Sequence, residues 1–159
     1  MEAGHRVTLA FRKMDALDQR FVTDAWAKSY RESDYAGIIQ NDSWFSIMLP
    51  QFARIVEHPD VHVTMAYDPS SPRESDLFGW ICTETCQQDG YPVPLVYYVF
   101  VKSAYRKRGI ARALFGVAGI DPQRPFVYAC KTYVVDKMTE VDAHRLIPYA
   151  RFCPMMGRD

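Results

Sequence analysis

Hydrophobic and polar positions change period several times along this chain, and each change predicts an element. Residues 5–11 alternate, with Val7, Leu9 and Phe11 on one side, and predict a first strand. From Asp15, a side chain suited to a helix N-cap, the period lengthens. Leu17, Phe21, Ala25 and Ser29 then recur at helical spacing as far as Tyr30. The polar stretch 31–43, marked by Gly37, Asn41 and Asp42, predicts a loop. Phe45, Met48, Leu49, Phe52, Ile55 and Val56 restore the helical period. Pro50 falls inside that run and predicts either a helix starting near Leu49 or two short helices split there.

Val61, Val63, Met65 and Tyr67 alternate with His62, Thr64 and Ala66, the pattern of a half-buried strand. A turn-rich connection over 68–72 leads to a strand over 77–83, antiparallel to the one before. Asp89-Gly90, with Pro92 and Pro94, predicts the next connection. Residues 95–101 are apolar on both faces, as in a central strand covered by helices. Ile110, Ala113, Leu114 and Val117 give a helix that ends at Gly119. Pro125 opens a strand over 126–131, and Thr132 caps a helix carrying Val135, Met138, Val141, His144 or Arg145, and Leu146. Residues 149–153 add a short terminal strand. The order is strand, two helices, three strands, helix, strand, helix, short strand. It predicts one α+β (mixed α/β) domain over residues 1–159, with a central sheet flanked by helices and no internal repeat.

Composition narrows the function. The 159 residues are 48% hydrophobic, enough for a single sizeable core. Lys and Arg number 19, as do Asp and Glu, so the net charge is zero and a general nucleic-acid binder is disfavoured. No apolar run approaches the roughly 18 residues of a membrane span. The N-terminal residues 1–6 lack an apolar signal core, which predicts a cytoplasmic location. Cys82, Cys86, Cys130 and Cys153 are too few for a disulfide scaffold. Cys82 and Cys86 would stand roughly 13 Å apart in a strand, beyond bridging distance, so reduced thiols are predicted.

Residues 99–114 carry the strongest chemical signal. A hydrophobic strand breaks into a basic loop that runs directly into a helix, whose first N–H groups and dipole favour an anion. Arg106, Lys107, Arg108 and Arg112 add positive charge, and Gly109 permits close approach, a construction suited to a pyrophosphate. The Gly-Lys-Ser/Thr ending of a nucleotide P-loop is absent, and only Gly109 is available for a dinucleotide fingerprint. The pattern Arg106-Lys107-Arg108-Gly109-Ile110-Ala111, with Tyr105 before it and Val101 five residues ahead of the arginine, resembles the acetyl-CoA motif of the GNAT superfamily of N-acetyltransferases. The order of strands and helices over about residues 5–132 resembles that family too.

The resemblance implies an acyl-CoA N-acyltransferase fold with a mixed, mostly antiparallel sheet, and acetyl-CoA as co-substrate. It implies that the Val99 N–H polarises the acetyl carbonyl and that Val101 holds the pantetheine amide. The N–H groups of Lys107, Arg108, Gly109, Ile110, Ala111 and Arg112 would wrap the pyrophosphate, and Lys102 or Arg108 would meet the 3′-phosphate. Direct attack by a neutral amine needs a base and an acid. Glu84, at the end of the strand before the central hairpin connection, is the best carboxylate for the base. Tyr133 and Tyr149 are the tyrosines nearest the family's acid, whose Asn-x-x-Ala-x-x-x-Tyr setting is missing here.

The acceptor implied is a small-molecule or peptide amine or a lysine side chain, with no nucleic acid and no membrane, and homodimers are common in the family. The alternative is a GNAT-shaped module that binds CoA or a protein partner without turnover, which the missing acid setting favours. Tyr30, Tyr35, Trp44, Phe45 and Tyr91 either line an acceptor pocket, with Glu32, Asp34 and Asp42 drawing a cationic amine, or cover the core. Cys130 is a packed thiol rather than an acyl carrier. His58 and His62 do not make a metal pair, because Pro59 and a helix-to-strand boundary separate them.

Overall fold

A computed structural model describes residues 8–32, 41–71, 76–88, 90–121, 124, 126–129 and 145–146. Among them six strands make one sheet in chain order: β1 (Ala10–Lys13), β2 (His62–Tyr67), β3 (Leu77–Gln88), β4 (Tyr91–Val101), β5 (Val127–Tyr128) and β6 (Arg145–Leu146). The first four pair antiparallel, while β5 lies parallel to β4 and β6 parallel to β5. Helices α1 (Gln19–Glu32) and α2 (Asn41–Glu57) precede β2, and α3 (Ile110–Val117) follows β4. No helix among the described residues is long and apolar enough to cross a membrane.

The two faces of the sheet bury different partners. Val63, Met65, Trp80, Cys82 and Tyr98 meet Trp26 of α1 and Trp44, Met48 and Phe52 of α2. Trp26 stacks on Phe52 with ring centroids 4.0 Å apart. On the opposite face Ile81, Val96, Val99 and Val101 meet Ile110, Leu114 and Phe115 of α3. Each such side chain contributes about 1.5–3 kcal/mol when fully withdrawn from water, so packing outweighs local preference where the two conflict.

Pro50 is one such conflict. Instead of a late start or a split, α2 runs unbroken from Asn41 to Glu57 with Pro50 inside it. Pro50 is exposed, so the carbonyl it leaves without a helical donor lies on the wet side, while Trp44, Met48, Phe52 and Ile55 hold the buried face together across it. The helix also claims Asn41 and Asp42 from the expected loop. At the C-terminal end, Arg145 and Leu146 are strand rather than the end of a helix. They pair with Val127 and Tyr128, and parallel pairing overrides the helical spacing there. The expected strand 149–153 and most of the expected helix before it lie outside the described residues.

The two prolines expected in the hairpin connection, Pro92 and Pro94, stand instead inside β4, opposite Gln87 and Thr85. The Val96 carbonyl accepts the Ala129 N–H and so points toward β5. By alternation the nitrogens of Pro92 and Pro94 point the same way, to a side where β5 begins its pairing only at Leu95, so no ladder bond is lost. Strand β1 likewise sits later than expected, because Arg12 and Lys13 continue the ladder opposite Met65 and Thr64.

Helix α1 begins at Gln19, four residues after Asp15. Asp15 and Asp18 close the turn between by reciprocal bonds, each backbone N–H donating to the other carboxylate at 3.0 Å. The Arg12 guanidinium grips the same Asp18 carboxylate through both terminal nitrogens, Nη2 donating to Oδ1 at 3.0 Å. Burial pushes the Asp18 carboxyl up, but the Arg12 bond and the Asp15 turn outweigh it and hold it below its ordinary 3.8. A carboxylate lowered by folding stabilises above its unfolded value and loses that stability as pH falls through the lowered one. The tie is therefore intact at neutral pH and released only in acid. Arg12→Ala should cost roughly 2–3 kcal/mol at pH 7 and flatten the acid side of a stability-versus-pH curve. Equal acid sensitivity in both proteins would overturn that assignment.

Candidate active site

The site is prepared by a break in the parity of β4. Along Leu95-Val96-Tyr97-Tyr98-Val99-Phe100-Val101, residues 95, 97, 98 and 100 face α1 and α2, whereas 96, 99 and 101 face α3. Two consecutive tyrosines on one face mark a bulge, and the ladder with β3 shifts at that point, from Cys82↔Tyr98 to Thr83↔Val96. Beyond it the Lys102 N–H donates to the Phe78 carbonyl at 2.8 Å. Alternation then turns the backbone groups of Phe100 toward β3 and those of Val99 and Val101 to the other side. There β5 pairs only with Leu95 and Val96, its last described bond running from the Ala129 N–H to the Val96 carbonyl at 2.9 Å. Strand β4 thus outruns its parallel partner, and among the described residues no strand pairs with its edge at Val99 and Val101.

The edge leads into the loop. Residues Ser103–Tyr105 form one 3-10 turn, Lys107 takes a left-handed conformation with φ 62°, and Gly109 does so with φ 79° as the N-cap of α3. No side chain caps the helix, and its first turn holds no acidic residue. The leading N–H groups therefore face outward without a side-chain acceptor, a condition that suits an anion. Arg106 turns back, its Nε donating to the Val101 carbonyl at 3.0 Å. Arg108 lies over the Tyr105 ring, and Lys102 lies over Phe21 of α1. Lys102 and Arg108, the two candidates for one phosphate, therefore stand on opposite faces of the sheet. Among the described residues no carboxylate pairs with Arg106, Lys107, Arg108 or Arg112. Four cations without a described carboxylate partner, around a helix start without a side-chain cap, fit a diphosphate ester, and a strand edge that no described strand pairs fits an extended amide-bearing arm.

Glu84 is neither exposed nor at the end of its strand, because β3 runs on to Gln88. Its side chain faces α1 and α2, is 7% exposed, and accepts the Tyr97 hydroxyl on Oε2 at 2.7 Å. Tyr97 is the bulge residue, so the bond joins this carboxylate to the part of β4 just before the free edge. No short-range pattern announces Tyr97, which lies 13 residues from Glu84. Two residues further along β3, burial first and then the charge of Glu84 push the Cys86 thiol up, away from nucleophilic use. Cys82 and Cys86 form no disulfide, in keeping with the expected reduced thiols.

Tyr133 and Tyr149 lie outside the described residues, as do Tyr35, Asp34, Cys130 and His144. Trp44 belongs to the core, its indole N–H donating to the Ala27 carbonyl at 2.8 Å. Tyr30 packs between Trp44 and Tyr98. Phe45 and Tyr91 are exposed.

No family model and no curated protein matches the chain. Solved structures do. The chain is similar to the ribosomal-protein-alanine N-acetyltransferase from Brucella melitensis biovar Abortus 2308, with 14% identity, a TM-score of 0.50 and 70% of each chain covered. It is similar to AAC(6')-Iy in complex with the bisubstrate analog CoA-S-monomethyl-acetylneamine, with 14% identity and a TM-score of 0.52. That match covers 92% of this chain and 99% of the other. The fold is that of the GNAT acetyltransferases.

Proposed function

We propose that this chain, which has the GNAT acetyltransferase fold, binds acetyl-CoA along residues 99–112 and transfers its acetyl group to a primary amine by direct attack. The observation that supports the reading best is the edge of β4 at Val99 and Val101, which no described strand pairs and which is continuous with a basic, uncapped helix start. In this reading the Val99 N–H donates to the acetyl oxygen, and the Val101 carbonyl exchanges Arg106 for an amide of pantetheine. The N–H groups of residues 107–112 and the side chains of Arg106, Lys107, Arg108 and Arg112 hold the pyrophosphate. The amine nitrogen attacks the acetyl carbon and the carbon–sulfur bond breaks. Glu84 takes the proton of the attacking ammonium, directly or through water, and Tyr133 or Tyr149 gives one to the thiolate.

Calorimetric titration with acetyl-CoA, CoA and ATP tests the cofactor reading. The expected result is micromolar binding of both thioester and thiol, with ATP weaker; no binding of any of them would overturn it. The Glu84 carboxylate is engaged by Tyr97, which favours a second reading, a module that binds CoA without turning it over. Release of free thiol from acetyl-CoA across a panel of primary amines separates the two. Where turnover is found, Glu84→Gln should lower the rate at neutral pH and leave CoA affinity unchanged.

A further inference from the structure

A second constellation lies away from the basic loop. His58 follows α2, Asp60 stands in the turn into β2, and Glu84 lies on β3, where the pairing His62↔Thr83 brings that turn alongside. One donor atom from each, an imidazole nitrogen and two carboxylate oxygens, lies within 4.8 Å of the other two. The turn is pinned by its backbone: the His58 N–H donates to the Ile55 carbonyl at 3.1 Å and the Val61 N–H to the His58 carbonyl at 3.0 Å. The Asp60 N–H donates to His58 Nδ1 at 3.1 Å, and an ion bound at Nδ1 would take the place of that N–H, whose exposed residue can turn to water instead. Glu84 is buried, His58 is half-buried and Asp60 is exposed, so the three donors grade from core to water.

We propose that His58, Asp60 and Glu84 form a binding site for a divalent metal ion of the zinc class. The donor set selects the ion. An imidazole beside two carboxylates suits zinc or cobalt, whereas calcium and magnesium prefer shells built of oxygen alone. Zinc binds such donors at about 2.0–2.2 Å, which puts neighbouring ligands of a tetrahedron roughly 3.4 Å apart. The exposed Asp60 side chain can turn to close that distance on its pinned backbone, and Glu84 is the buried anchor. Two carboxylates brought together repel unless a cation lies between them, and a dication removes that cost. Three protein ligands leave the fourth position to water. The bound ion ties the end of α2 to β3. The site shares Glu84 with the acetyl-transfer reading but does not rest on that reading.

The test uses the full chain without a histidine tag, titrated with zinc by calorimetry and with cobalt(II) by visible absorption. One ion per chain should bind at micromolar or lower concentration, with the cobalt bands of a four-coordinate N/O site and a higher melting temperature. His58→Ala and Asp60→Asn, both outside the core, should each weaken binding by about 100-fold or more while melting like the parent without metal. The scale follows from the 10- to 100-fold cost of losing even an outer partner of a ligand. Three results would overturn the proposal: no saturable binding up to millimolar metal, unchanged affinity in His58→Ala, or a cobalt–thiolate band showing that cysteines take the ion. Acetyl-CoA affinity, measured on the same His58→Ala protein, should equal the parent's, so failure of the metal site and failure of the cofactor reading remain distinct.

Discussion

Gly109→Glu should abolish acetyl-CoA binding, with at least a 100-fold loss of affinity, about 2.8 kcal/mol, in a protein that still folds. Two effects combine, and they can be separated. Gly109 has φ 79°, a conformation that costs a residue with a β-carbon about 1–2 kcal/mol. A β-carbon there meets nothing within 4 Å, so no clash adds to that strain. Gly109→Ala therefore carries the strain alone and should lower the melting temperature by a few degrees. Gly109→Glu carries the same strain and places a carboxylate where Arg106, Lys107, Arg108 and Arg112 converge on the proposed pyrophosphate. Equal melting with unequal binding is the expected pair of results. Undiminished affinity in the glutamate variant would place the cofactor elsewhere.

Gly79→Ala should be the most damaging glycine-to-alanine change among the described residues. A β-carbon at Gly79 would overlap the Phe100 carbonyl oxygen and lie 3.0 Å from the Val101 Cα. Both obstacles are backbone, so no rotamer change relieves them, and β3 and β4 must separate where Gly79 pairs with Val101. Such overpacking costs about 3 kcal/mol, which for a domain of this size lowers the melting temperature by roughly 6–12 °C. Because the displaced segment is the strand edge proposed to hold the cofactor, acetyl-CoA affinity should fall with it. Melting within a degree of the parent would show that the two strands can part cheaply at this point.

Strand β2 and helix α3 are legible because one face of each is buried more deeply than the other, so burial stamps a period of two or 3.6 onto the residues. The basic loop was legible because its charges and glycine are contiguous. Strand β4 shows where such reading stops. Leu95 to Val101 is apolar throughout, and a run without alternation carries no record of register, so the bulge at Tyr97 and Tyr98 leaves no trace. Glu84 stands out in the sequence as a carboxylate of interest, yet its surroundings come from Tyr97 on the next strand and from His58 and Asp60 in a distant turn. Those neighbours are set by pairing and packing over 13 residues or more. Pro50, Pro92 and Pro94 look like breaks in the sequence because a local rule ignores which side of an element faces open space. All three sit where the missing N–H costs little.

The chain has three tryptophans, Trp26, Trp44 and Trp80, and all are buried in the layer between the sheet and helices α1 and α2. Intrinsic fluorescence is consequently a one-sided reporter. Its emission follows the collapse of that layer and sees little of α3 or the basic loop, which hold no indole. An emission-detected melt can therefore remain flat while α3 loosens from the other face. Amide hydrogen exchange at Ile110, Leu114 and Phe115, set beside the fluorescence curve, would reveal whether the two faces of the sheet come apart together or in turn.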